Sequence, residues 1–89
     1  MKPVLKIFVT EHCFGCVEAL RIAAEVARDY PHLGVEVIDL KATEVIVPEA
    51  VFATPTYMLN NRIVCLGNPS PAEVARWAKE ARVLPVPVE

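Results

Sequence analysis

Two cysteines with two residues between them, Cys13-Phe14-Gly15-Cys16, stand where a short apolar run ends and a helical pattern begins. The run is Val4 to Val9, and the helical pattern continues to Asp29. Cysteines three apart at a helix start lie on one side of the first turn, about 5–6 Å from each other, within the Cα range that a disulfide tolerates. The helix N-terminus also turns partial positive charge and free N–H groups toward the first sulfur, which favours its thiolate. A free cysteine titrates near about 8.5, and helix-start cysteines in this arrangement fall between about 3.5 and 7.5. The spacing therefore suits a dithiol that opens and closes more than a static crosslink.

The rest of the chain reads as one strand-and-helix unit. Val4–Val9 is short and β-branched, a buried strand ended by Thr10-Glu11-His12. In the helix pattern 14–29, Cys16, Ala19, Leu20, Ala23, Ala24, Val26 and Ala27 form one broad apolar face. Glu18, Arg21, Glu25, Arg28 and Asp29 form the wet face, with Arg21 and Glu25 one turn apart. Cys16 is expected to be shielded, and Cys13, at the open end, more exposed. Pro31 stops the helix, and 35–40 reads as a second strand, parallel to the first. Residues 44–52 are ambiguous, with Pro48 suited to the first turn of a short helix. Thr56–Leu59 and Arg62–Leu66 read as strands joined by Asn60-Asn61, a pair that tolerates positive φ in a two-residue turn. Ser70-Pro71-Ala72-Glu73 is a capping box with proline at the first helical position, and Val74, Trp77, Ala78 and Ala81 are the stripe that helix buries. The proline-rich apolar tail, 84–89, is expected to be extended and packed rather than free.

Thr54-Pro55 stands directly before the first hairpin strand, where a proline marks a strand's first residue or an approach turn. With Cys13 and Cys16 after strand one, Thr54-Pro55 before the hairpin and the order β-α-β-α-β-β-α, the chain resembles the thioredoxin–glutaredoxin superfamily. The resemblance implies an α/β fold: a central four-stranded mixed sheet with helices on both faces, the first and last helices sharing one face. It implies a thiol–disulfide oxidoreductase, with Cys13 as nucleophile and Cys16 as resolving thiol, and no dissociable cofactor. It implies a cis Thr54–Pro55 bond, with both residues binding substrate, and a Phe14-Gly15 pair that tunes the redox potential. Phe14 offers substrate an apolar contact or folds onto the surface. Many thioredoxins carry a buried carboxylate six residues before the first cysteine; here that position is Ile7. Where glutathione-binding glutaredoxins often have a Gly-Gly turn followed by acidic residues, this chain has Gly67-Asn68-Pro69-Ser70, which gives glutathione binding no support. His12 is a candidate modulator of the thiolate, set against a merely solvated loop histidine. His32 reads as loop surface. Cys65 reads as a small packed hydrophobe, or as a reactive thiol if its strand is an exposed edge.

Composition narrows the partners. Eighty-nine residues suit one domain, 1–89, and a 54% apolar chain does not stay disordered. A net charge of −2 with scattered Lys and Arg argues against nucleic acid and anionic membranes. The longest apolar stretches fall short of the roughly 20 residues of a membrane span, and no signal segment is visible. Three cysteines cannot pair fully, so a reducing cytoplasm is the expected compartment. The expected partners are a disulfide-bearing protein or small-molecule thiol and an upstream reductase, with the chain a monomer or weak dimer. Two other readings stand beside this one. A non-catalytic binding module would use the same scaffold. A metal site would need a second Cys/His pair beyond the Cys13–Cys16 half, and the sequence offers none.

Overall fold

A computed structural model describes residues 3–11, 13–41 and 53–83. Within them the order is β1 (Val4–Val9), α1 (Cys16–Asp29), β2 (Gly34–Asp39), β3 (Thr56–Leu59), β4 (Arg62–Leu66) and α2 (Pro71–Val83). The four strands form a mixed sheet in the order β2-β1-β3-β4. β1 and β2 are parallel, from Val4 opposite Gly34 to Val9 opposite Asp39, as a strand–helix–strand crossover requires. β1–β3 and β3–β4 are antiparallel. β2 begins one residue earlier than its alternation predicted, because the Gly34 N–H donates to the Pro3 carbonyl at 2.8 Å and brings Gly34 into the ladder.

The hairpin turn follows its chemistry. Asn60 and Asn61 both have positive φ, 51° and 69°, the pattern of a two-residue turn that matches strand twist. The Asn60 side chain also accepts from the Val4 N–H at 3.1 Å, fastening the hairpin to the start of β1. A bulge between Tyr57 and Met58 sets Tyr57 opposite Cys65 and Met58 opposite Ile63. The extra residue, Val64, packs with Cys65 toward the helices, while Ile63 turns to the far face.

Alternation along the strands gives the sheet two faces. Leu5, Ile7, Val9, Tyr57 and Leu59 meet buried residues of both α1 and α2 in the main core. Phe8 and Met58 are buried on the opposite face, with Ile38, Leu40 and Ile63 packed against them. The first and last helices thus share a face, as predicted. The short helix expected over the second face falls on residues 44–52, and the packed tail on 84–89; both lie outside the described residues.

α2 buries its predicted stripe: Val74, Trp77, Ala78 and Ala81. α1 does not bury quite the face its sequence indicated. Cys16, Ala19, Ile22, Ala23 and Val26 are buried, but Leu20, Ala24 and Ala27 are exposed. The apolar arc of α1 is wider than the strip that the sheet and α2 cover, so packing selects one edge of it and takes in Ile22. His32 is also not loop surface. It is half-buried, Nε2 donates to the Ala78 carbonyl at 2.9 Å, and its ring meets Tyr30 edge-on.

Candidate active site

The chain folds its two cysteines onto one corner. α1 begins at Cys16, two residues later than the pattern suggested, because Phe14 and Gly15 form a turn first. The Cys16 N–H donates back to the Cys13 carbonyl at 3.3 Å. Gly15 is the N-cap residue, and its carbonyl accepts the first helical bond, from Ala19 N–H at 3.1 Å. No side chain caps this end, so the first-turn N–H groups stay directed at the cysteine corner. Cys13 and Cys16 are joined by a disulfide across a Cα–Cα distance of 5.3 Å. Cys16 is buried in the main core, and Cys13 lies half-exposed at its margin. That asymmetry is the one the helix geometry predicted.

Thr54–Pro55 meets this corner from the other side of the sheet's end. The bond is cis. Pro55 is buried, and its carbonyl accepts from the Gly67 N–H at 2.8 Å. A β-carbon added at Gly15 would approach Pro55 Cδ to 3.5 Å and the Asn68 side-chain nitrogen to 3.0 Å. Glycine at this position lets the two segments close on each other. Thr54 is half-buried; Thr56, fully buried, donates from its hydroxyl to the Ala53 carbonyl at 2.6 Å.

Phe14 is fully exposed and does not fold onto the surface. Val17 and Leu20 continue from it along α1 and are also exposed, which leaves an apolar strip beside the disulfide. Ile7 is fully buried in the main core, where the resembled family often places a carboxylate. The nearest acidic residue on α1 is Glu18, whose carboxyl is held below its ordinary range by its hydrogen bond to Arg21. Cys65 lies on β4, an edge strand, half-buried against the main core. Burial, then the nearby Glu73 charge, pushes its thiol above the ordinary value. His12 lies outside the described residues. No group of three or more His, Cys, Asp or Glu positioned for a metal occurs among the described residues.

A family model described as a thioredoxin domain matches residues 4–79. The chain belongs to the thioredoxin-domain family. No curated protein matched the sequence. Within the thioredoxin domain, the match spans every described strand and both cysteines, and reaches into α2. Among the described residues no helix is long and apolar enough to cross a membrane.

Two residues near the site escaped the sequence reading. Asn68 donates from Nδ2 to the Gly15 carbonyl at 2.9 Å. Tyr57, fully buried, donates its hydroxyl to Asn68 Oδ1 at 2.8 Å. The sequence pointed to Asn68 only as part of Gly67-Asn68-Pro69-Ser70, the stretch set against the Gly-Gly turn of glutathione-binding glutaredoxins.

Proposed function

We propose that this thioredoxin domain is a thiol–disulfide oxidoreductase. A redox role of a general kind follows from the family and from the closed cysteine pair. The observation that carries the specific reading is the asymmetry of that pair: Cys13 half-exposed at the uncapped end of α1, Cys16 buried behind it. In the reduced protein the Cys13 thiolate attacks one sulfur of a substrate disulfide. The new Cys13–substrate bond forms as the substrate S–S bond breaks, and the departing thiolate takes a proton from solvent. The Cys16 thiolate then attacks Cys13 Sγ, closing the Cys13–Cys16 disulfide and releasing the second substrate thiol. The substrate gains two electrons and the dithiol loses two. A thiol or dithiol reductant restores it by the reverse exchange.

The substrate is a protein or small-molecule disulfide, met by Phe14, Gly15, Thr54 and Pro55, and His12 modulates the thiolate. The exposed Phe14, Val17 and Leu20 suit an apolar stretch of substrate beside its disulfide. A reducing compartment such as the cytoplasm suits the reductive direction. The test is reduction of a model disulfide, wild type against Cys13→Ser. Turnover by the wild type and none by the variant is expected. Equal binding of a disulfide peptide by both, with turnover by neither, would leave a non-catalytic binding module.

A further inference from the structure

The dithiol turn is not held by its own helix alone. Its Gly15 carbonyl has two donors: Ala19 N–H from within α1, and Asn68 Nδ2 from the segment after β4. The orientation of that amide is determined. Gly15 offers a carbonyl, so Nδ2 must face it and Oδ1 must face Tyr57; the phenol is therefore the donor. Tyr57 comes from the sheet interior, fully buried, its ring tilted against Trp77 at a centroid distance of 5.9 Å. Gly67, with φ of +89°, turns the chain so that Asn68 points back over the site, and its N–H bonds the Pro55 carbonyl. The same short segment thus holds Pro55 through backbone and the dithiol turn through a side chain.

We propose that Asn68, backed by Tyr57, is a positioning residue for disulfide exchange. The chain Tyr57 O–H to Asn68 to the Gly15 carbonyl anchors the 13–16 turn to the rigid sheet. Donation from the phenol to Asn68 Oδ1 polarises the side-chain amide and makes its Nδ2–H a stronger donor to the Gly15 carbonyl. Anchoring matters most in the reduced state. There the covalent link is gone, and the turn must be kept in a shape from which Cys16 reaches Cys13. A tethered turn loses less chain entropy when the disulfide closes, so the tether favours the closed form. Burial raises the Tyr57 phenol above the ordinary tyrosine value, which keeps it a donor throughout the pH range of thiol exchange.

The inference rests on the exchange activity proposed above. Its test is the equilibrium constant of the Cys13–Cys16 pair against glutathione, with the thermal midpoint of each variant recorded beside it. Asn68→Ala removes the tether. Asn68→Asp keeps the shape and the acceptor for Tyr57 but turns a carboxylate oxygen toward the Gly15 carbonyl. Both are expected to lower the constant for disulfide formation by about threefold to tenfold, the worth of one net hydrogen bond. Tyr57→Phe is expected to shift it in the same direction by less. A purely structural role would lower the thermal midpoint and leave the constant unchanged. If the wild type exchanges and both Asn68 variants stay within twofold of it, or if Asn68→Asp restores the wild-type value, the positioning role is overturned and the exchange activity stands. A wild type that does not exchange overturns both.

Discussion

The two helices among the described residues begin in opposite ways. At α2 the Ser70 hydroxyl accepts from the Glu73 N–H at 3.2 Å, and the Glu73 carboxylate accepts from the Ser70 N–H at 2.9 Å. Pro71 follows at the first helical position, where a missing N–H leaves no bond unmade. At α1 the N-cap is Gly15, with no side chain to offer, and the nearest thing to a cap is the cysteine pair itself. One end satisfies its own donors and is sealed. The other leaves them directed at the cysteine corner, where they stabilise negative charge on sulfur. The fold thus completes the cap of α2 and leaves that of α1, which carries the cysteine pair, without a side chain.

That contrast is sharpest in activity. Cys13→Ser is expected to abolish exchange and leave the melting temperature close to that of the reduced wild type. Ser70→Ala is expected to leave the rate of disulfide reduction unchanged and to cost about 1 kcal/mol of stability. A Ser70→Ala protein as stable as the wild type would mean that the capping box contributes nothing measurable.

The core beneath α2 carries a larger stability effect. Trp77 is 2% exposed and lies against Tyr57. Trp77→Ala is expected to destabilise the domain by about 3–5 kcal/mol in denaturant unfolding. A loss below about 1 kcal/mol would show that α2 is a loose cover and not part of one core.

Beneath α1 the prediction concerns pH. Ile7, where many thioredoxins carry a carboxylate, is buried hydrocarbon in the core that also holds Cys16, and so offers no base to it. Burial in apolar surroundings raises a thiol's pKa, and the resolving step proposed above would need the Cys16 thiolate. Single-turnover reduction of a model disulfide should therefore be slow near neutrality and accelerate between pH 7 and 9. Ile7→Asp is expected to raise the rate at pH 7 while lowering the melting temperature, since it buries an unpaired carboxyl. A flat wild-type profile from pH 6 to 9 would assign the base to another group, with His12 the first to mutate.

The smallest effect is alkaline. Burial, then the neighbouring Cys65, raises the Tyr57 phenol well above its ordinary value. The stability this contributes is fully present below the unfolded tyrosine value of about 10 and is lost as pH rises from there through the folded value. The melting temperature should fall more steeply between pH 10 and 11 for the wild type than for Tyr57→Phe. Equal slopes would place the alkaline loss at another group, Cys65 foremost.

Local rules made some of the molecule legible before folding. The turn at Asn60-Asn61, the cap at Ser70 and the boundaries of β3 and β4 depend on neighbours a few residues apart, and the sequence shows these directly. The cysteine corner was legible for the same reason: Cys13 and Cys16 sit on one turn. The buried edge of α1 was not, because Leu20 and Ile22 differ only in what they face across the fold. Asn68 was invisible for a related reason. Its bonds reach 53 residues back to Gly15 and 11 residues back to Tyr57, and no spacing rule connects them. Asn60 holding Val4 across 56 residues is the same case.

If the uncapped start of α1 makes Cys13 the nucleophile, as proposed, Cys13 is the most reactive of the three thiols in the reduced protein. The most direct test is to reduce the protein fully, add one equivalent of iodoacetamide at pH 7 and map the modified residue by mass spectrometry. Cys13 should be labelled first, with Cys65 slow because burial keeps it a thiol. In Cys16→Ser, a model disulfide should leave one stable mixed disulfide, on Cys13. First labelling at Cys16 or Cys65, or an adduct on Cys65 in that variant, would contradict it.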